Sequence, residues 1–463
     1  MAEHSSGEGW GRVLPFARRE AQRAEGAPPT RKLVRDAKLA ALPVAYAGRQ
    51  AAGVGWRLFG RPATEVEAEI HMRTAEHVFE VLGELKGSVA KLGQILSVYQ
   101  DAMPIDLAEA YGLALSKLQN AVPAMSPALV AQVLAENFGP GWRELFREFE
   151  THPAAAATIG QVHRAVWHDG RPVAVKVMYP GAREAVRADF TQLRLLGVVL
   201  GALLPGAEMG PIIEMICACV TDELDYGQEA HAQRGFAAGF AGDPDFAVPD
   251  VVAQATDVLV SEWLEGAPLS ELISSGTQEE RNRIGLLVLR FAKSAHVRTG
   301  GLLYTDLHPG NFLVLPDGRL GVVDFGACSP WPDTLEPAIA DIGAALYESG
   351  DLEAALRRHG LVRPGREFDA AALMEIAKPI LPILWDSQFR LSPEWLRDRV
   401  EAVTEIRLTN VFRQMTLPPE FIPVARAVIT GIGVLCQLRT EGPIGPEFLA
   451  WTPALAEVAA RRR

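Results

Sequence analysis

Residues 302–327, LLYTDLHPGNFLVLPDGRLGVVDFGA, carry three oxygen-bearing side chains at spacings that could manage a phosphate. Two short apolar runs, 312–315 and 320–323, flank Pro316-Asp317-Gly318-Arg319, a combination that predicts a β-hairpin and its turn. Asp306 and Asn311 stand just before the first run and Asp324 just after the second, so the hairpin gathers all three at one end of a small sheet. Phosphoryl transfer needs such a set: Asn311 and Asp324 as hard oxygen ligands for Mg²⁺ against nucleotide phosphates, and Asp306 as the carboxylate that meets an incoming hydroxyl or water. Two acids at a hairpin end are often mere turn residues. The ordered series D-x-x-x-x-N, hairpin, D-F-G is far more specific than any of its parts.

Chemistry at that end requires a cation from a second element. In 153–180, PAAAATIGQVHRAVWHDGRPVAVKVMYP, two strand-like runs are joined by His168-Asp169-Gly170-Arg171, another hairpin signal. The second run holds Val173-Ala174-Val175-Lys176, the form of the strand lysine that protein kinases place on the α- and β-phosphates. Where a kinase has a glycine-rich loop over the phosphates, this chain has Ala155, Ala156, Ala157 and Thr158. Positive φ is unfavourable for alanine, so a stiffer nucleotide lid is expected. Residues 186–240 read as helices, and a helix carboxylate should pair with Lys176. Glu223 is the expected partner. Glu229 lies six residues on, about 240° round a helix turning about 100° per residue, so the two cannot face one cation. Asp225 and Glu229, four residues apart, are left to hold a different cation. The apolar run 258–266, VLVSEWLEG, has the place of a hinge, whose backbone near Glu262 and Leu264 would meet adenine.

At 463 residues, with 48% hydrophobic and 22% charged content, the chain is long enough for several domains and a large core. Its four cysteines, Cys217, Cys219, Cys328 and Cys436, lack metal-site spacing and are too few for a disulfide scaffold, so reduced thiols in the cytoplasm are expected. The net charge of −12 is unevenly spread: residues 1–62 hold eleven Lys/Arg against five Asp/Glu, a balance of +6 that leaves −18 for the remainder. An acidic body argues against nucleic acid as a partner, while a basic arm suits anionic lipid or an acidic protein. The first residues do not read as a signal peptide, and no run reaches about 18 apolar residues. The apolar stretch 422–436, IPVARAVITGIGVLC, is interrupted by Arg426. The expected location is cytoplasmic, with peripheral contact at the inner face of the plasma membrane as the option the arm opens.

In chain order, residues 1–30 read as a disordered basic arm and 31–150 as a helical extension. That extension has apolar positions at three- and four-residue steps over 64–100 and a third helical segment at 126–150. Residues 151–265 form a small lobe with inserted helices, 266–446 a larger lobe, and 447–463 a tail. Within the extension lie Lys91 and Gln94, in AKLGQ at 90–94. Alone they mean only a solvated helix face.

Taken together, the motifs resemble the UbiB (AarF-domain, coenzyme-Q-8-type) family of atypical kinases over roughly residues 64–440. The carriers are AKLGQ at 90–94 for the KxGQ motif and AAATIGQVHRA at 155–165 for the alanine-rich loop. VAVKV at 173–177, ELDYGQEA at 223–230 for the ExD motif, TDLHPGN at 305–311 and DFGA at 324–327 complete the set. Tyr304 stands where members often have His, and Thr158 where they usually have Ser. The resemblance implies an α+β, two-lobed protein-kinase-like fold whose N-terminal helical extension lays KxGQ across the active site. Lys91, Gln94, Asp225 and Glu229 would then be regulatory, and phosphorylation of a protein in trans is disfavoured. It further implies ATP and Mg²⁺ (or Mn²⁺) as cofactors, an ATPase or a small-molecule or lipid kinase activity, and an isoprenoid lipid or quinone precursor as partner. The competing expectation is a pseudokinase-like, nucleotide-gated lipid-binding or scaffold protein; a protein Ser/Thr kinase ranks last, since no A-P-E-like segment follows Gly326.

Overall fold

The computed structural model describes residues 124–461 except 158, 204–212, 215–216, 218–219, 348–349, 404–410 and 451, together with residues 48 and 52. The basic arm, the helices expected over 64–120, and Lys91 and Gln94 lie outside the described residues.

The chain enters through helix α1 (Pro127–Phe138), started by the Ser126 hydroxyl, which accepts from the Leu129 N–H, and by Pro127 in the first turn. Gly139, at φ 87°, stops it. The segment expected to be helical through residue 150 therefore ends early. Strand β1 (Phe146–Phe149) follows after a short 3₁₀ turn, Trp142–Leu145. The reason is aromatic packing: Phe146 and Phe149 close edge-on around Trp142, and Phe146 meets Trp167 at 5.1 Å. A strand presents these rings to the sheet better than a helix would.

The small lobe is an antiparallel sheet. Strands β2 (Ala155–Ala157), β3 (Gly160–Trp167), β4 (Pro172–Met178), β6 (Val251–Gln254) and β7 (Val258–Glu262) join β1 in the order β1-β3-β4-β7-β6, with β2 also on β3. The predicted hairpin at 168–171 links β3 to β4. Along β4 the side-chain period of two decides everything: Val173, Val175 and Val177 are fully buried against Val130, Val133 and Leu134 of α1, so Lys176 faces the other way.

Helix α2 (Ala182–Leu203) and helix α3 (Tyr226–Gly239) follow β4 in the chain. The larger lobe opens with strands β5 (Phe246–Ala247) and β8 (Ala267–Pro268), helix α4 (Leu269–Ser275) and helix α5 (Gln278–Arg298). A capping box between Thr277 and Glu280 starts α5. Its buried stripe, Ile284, Leu287, Val288, Phe291 and Ala295, repeats at helical spacing. Strands β9 (Leu302–Tyr304), β10 (Phe312–Val314), β11 (Leu320–Val322) and β12 (Cys328–Pro330) carry the catalytic-type loop and its hairpin. The expected hairpin is there, with Phe312 opposite Val322 and Val314 opposite Leu320. Helices α6 (Leu335–Tyr347), α7 (Leu352–Arg358), α8 (Ala370–Ala377), α9 (Pro393–Val403), α10 (Ile422–Gln437), α11 (Ile444–Ala450) and α12 (Pro453–Arg461) complete the lobe.

The main core lies beneath the hairpin and is strongly aromatic: Phe236, Phe240, Phe246, Phe291, Tyr304, Phe312 and Phe325 pack as one cluster. Each fully buried ring contributes about 1.5–3 kcal/mol. The helical run Pro419–Gln437 is, at 19 residues, long and apolar enough to cross a membrane, yet Val434 and Leu438 are built into this core.

Candidate active site

Lys176 leaves the middle of β4 and reaches the carboxylates of two other elements. Its ammonium donates to both oxygens of Glu229, at 2.7 and 2.9 Å, and to Asp324 Oδ2 at 3.0 Å. The Lys176 ammonium also lies 5.2 Å from the centre of the Tyr226 ring. The Glu229 side chain is 2% exposed and that of Lys176 13%, so this is a buried ionic cluster rather than a surface pair. Burial alone would lower the Lys176 pKa, but the Asp324 and Glu229 carboxylates hold it well above the ordinary lysine value. Burial pushes the Glu229 carboxyl up to about 7 against the pull of Lys176. Two carboxylates thus share one ammonium.

The helix carboxylate is not the one expected. Glu223 is buried near Gly326, where a Cβ would stand 3.6 Å from Glu223 Cγ, while the hydrogen bonds of Lys176 run to Glu229 and Asp324. The 240° argument presumes one continuous helix from 223 to 229, and the chain breaks it. A helical turn ends at Glu223, and Asp225, at φ −116° and ψ 89°, caps a new helix by accepting from the Gly227 and Gln228 N–H groups. Asp225 is therefore an exposed helix cap, and Glu229, in the first turn of α3, is the partner of Lys176. Asp225-Tyr226-Gly227-Gln228 has the D-x-x-Q form of a helix start, a sequence signal that marks the break, and Gln228 Nε2 donates to Asp225 Oδ2 at 3.2 Å.

At the hairpin end the expected residues do meet. Asn311 Nδ2 donates to the Asp306 carbonyl at 3.0 Å and to Asp306 Oδ2 at 3.1 Å, which turns the Asn311 amide oxygen away from Asp306. Asp324 Oδ1 accepts from the Gly326 N–H at 3.0 Å, and Val323 donates to the Asn311 carbonyl. Tyr304 fills the place noted as a departure: fully buried, its hydroxyl donates to the Asp324 carbonyl at 2.8 Å and so ties the Asp306 loop to Asp324. Burial holds the Tyr304 phenol neutral, its pKa well above the usual value. No signal in the sequence announced that bond.

The lid differs in its backbone from expectation. Ala155, Ala156 and Ala157 form β2, paired with Val162, Gln161 and Gly160, so they are extended and need no positive φ. Thr158 lies outside the described residues. The obligatory glycine is Gly160, where a Cβ would fall 2.3 Å from the Val177 carbonyl oxygen and 3.1 Å from the Tyr226 hydroxyl. At the hinge, Glu262 ends β7 and Leu264 packs over the hairpin, 3.2 Å from where a Gly321 Cβ would be. Asn311 and Asp324 offer hard oxygen donors, the chemistry Mg²⁺ or Mn²⁺ prefers. Among the described residues no three His, Cys, Asp or Glu side chains form a metal site by themselves. Two protein oxygens completed by phosphate oxygens is the arrangement Mg²⁺ commonly takes, so the donor set fits.

Residues 117–355, just over half of the 463-residue chain, match the ABC1 atypical kinase-like domain. The chain belongs to this family. Relatives of this ABC1 kinase-like chain include the mitochondrial atypical kinase COQ8B of Danio rerio, 26% identical over 88% of this chain and 66% of the relative. The mitochondrial atypical kinase COQ8 of Saccharomyces cerevisiae is 30% identical over 62% of this chain and 58% of the relative. The UbiB-type resemblance carried by the motifs therefore holds, and so does the two-lobed kinase-like fold. Among solved structures, Rv3197 of Mycobacterium tuberculosis in complex with erythromycin superposes with a TM-score of 0.61 at 39% identity, covering 85% of this chain and all of that one. The chain spans 37% to 66% of the length of the first curated relatives it matches.

Proposed function

We propose that this atypical kinase binds ATP with Mg²⁺ and carries out phosphoryl chemistry, as an ATPase or as a kinase of a small molecule or lipid. The observation that carries the reading is the convergence of Lys176, Glu229 and Asp324 beside the Asp306–Asn311 pair. In this mechanism Lys176, held by Glu229, orients the α- and β-phosphates, exchanging its Asp324 contact for a phosphate oxygen. Asn311 and Asp324 hold the metal, which when bound neutralises phosphate charge. Asp306 positions the acceptor hydroxyl or water. Hinge backbone at Glu262 and Leu264 takes the adenine, and Ala155–Ala157 close over the phosphates. Placement and electrostatics do the work, with no covalent enzyme intermediate.

The names of the COQ8 relatives support a role in quinone or other isoprenoid-lipid metabolism, with such a lipid or its precursor as partner. The basic stretch 1–62 supports a cytoplasmic protein peripheral to an anionic membrane surface. A second reading, a nucleotide-gated binding module without turnover, draws on the M. tuberculosis relative solved with a macrolide. Phosphate release from Mg-ATP, with and without anionic vesicles, separates the two. The expected result is Mg²⁺-dependent release by the wild type that Asp306→Asn lowers to a small residual rate while both proteins bind nucleotide. Equal binding with no release in either leaves the module.

A further inference from the structure

We propose that Arg426 is a positioning residue for Asp306, reaching the active site from a helix that lies beyond the segment matched by the kinase-like family. This role rests on the reading of Asp306 given above.

Arg426 is the charge that interrupts the apolar run of α10, and it is 4% exposed. Burying a guanidinium in such a helix is unfavourable unless an anion compensates it. Among the described residues Asp306 is such an anion: Arg426 Nη2 lies 3.7 Å from Asp306 Oδ1, with that side chain 8% exposed. The two Asp306 oxygens are thereby divided, Oδ1 facing Arg426 and Oδ2 accepting from Asn311 at 3.1 Å. At 3.7 Å the contact is an ion pair longer than a direct charge-assisted hydrogen bond, so the cation faces Oδ1 without capping it. The helix is built to come this close. Gly431 leaves room for Leu307, whose Cδ1 would be 3.0 Å from a Cβ there. Thr430 turns its hydroxyl back onto the Arg426 carbonyl at 2.9 Å, within the helix. The family match ends at residue 355, so this contact comes from outside it.

The test uses the full chain as wild type, Arg426→Lys, Arg426→Met, Asp306→Asn and the double variant Arg426→Met/Asp306→Asn. Readouts are phosphate release from Mg-ATP with phosphatidylglycerol vesicles, Mg-ADP affinity, and thermal unfolding. Losing the buried cation that faces Asp306 should lower kcat about 10²-fold in Arg426→Met and about tenfold in Arg426→Lys, with KM and Mg-ADP affinity within about twofold. The double variant should be no slower than Asp306→Asn, since the two residues act as a unit. A folded Arg426→Met with wild-type kcat, or losses that multiply in the double variant, overturns the proposal. Should Arg426→Met not fold, an undiminished kcat in Arg426→Lys overturns it instead. A wild type that binds Mg-ADP and releases no phosphate sinks the catalytic reading of Asp306 and this role with it; wild-type turnover indifferent to Arg426 sinks this role alone.

Discussion

Glu229 and Glu223 are both buried acids within reach of the D-F-G turn, and only one touches the ammonium of Lys176. A hydrogen bond to a charged group contributes about 1.5–3 kcal/mol, which as a barrier is about 10–150-fold in rate. Glu229→Gln is therefore expected to slow Mg-ATP turnover by about that factor, and Glu223→Gln to leave the Lys176 contacts standing and slow it less. Phosphate release by the two variants side by side checks this, and equal losses would return Glu223 to the pair. The same reasoning applies to shape at Gly160. A methyl group there meets the Val177 carbonyl at 2.3 Å, backbone that cannot swing aside, so Gly160→Ala should cost about 1–3 kcal/mol in chemical denaturation. Unchanged stability would mean that β2 and β3 sit further from β4 than described.

At the scale of elements, a chain of polar contacts ties the entry to α1 to the sheet. The Met125 N–H donates to Gln161 Oε1, Gln161 Nε2 lies 2.8 Å from His163 Nε2, and His163 Nδ1 lies 2.8 Å from the Glu150 carbonyl. A carbonyl only accepts, so Nδ1 carries the proton and Nε2 accepts from the Gln161 amide; the chain closes only with neutral imidazole. Burial lowers the His163 pKa, an effect larger than the opposing bond to Glu150. The group's contribution is thus present above the ordinary value of 6.5 and is lost as pH falls through the depressed one. Wild-type stability should drop as pH goes below 6.5, and His163→Gln, less stable at neutral pH, should show a shallower slope in urea titrations over that window. What the sequence revealed follows the same logic of range. The hairpins at 168–171 and 316–319 and the strand that carries Lys176 depend on neighbours a few residues away, and all were legible. Strand β1 was not, because Phe146 is strand-like only through Trp142 and Trp167, the latter 21 positions on. Glu229 was misplaced by a helix phase carried across the cap at Asp225, and Arg426 could be seen as odd but not as a partner of Asp306.

Across the whole molecule, two of the contacts between the lobes among the described residues share a helix. Glu229 and Phe236, seven residues apart on one face of α3, hold Lys176 of the small lobe and Phe325 of the D-F-G turn respectively, the second at a ring distance of 5.1 Å. Position of α3, orientation of Asp324 and placement of the lysine are therefore set together, and a ligand that engages Lys176 and Asp324 at once must stabilise both lobes. Binding to the folded state alone adds about 2.7 kcal/mol at a ligand concentration about 100-fold above Kd. Mg-ATP at such excess should raise the melting temperature of the full chain, EDTA should remove most of that rise, and Asp324→Asn should remove it as well. Phe236→Ala, which empties the space behind Phe325 without touching the polar site, should lower the stability of the unliganded chain by the cost of a buried ring, about 3–5 kcal/mol, and its melting temperature with it. It should also shrink the ligand-induced rise, because Asp324 is no longer held in place. The decisive comparison is the rise itself: if it survives EDTA and Asp324→Asn unchanged, the nucleotide sits somewhere other than between Lys176 and the hairpin.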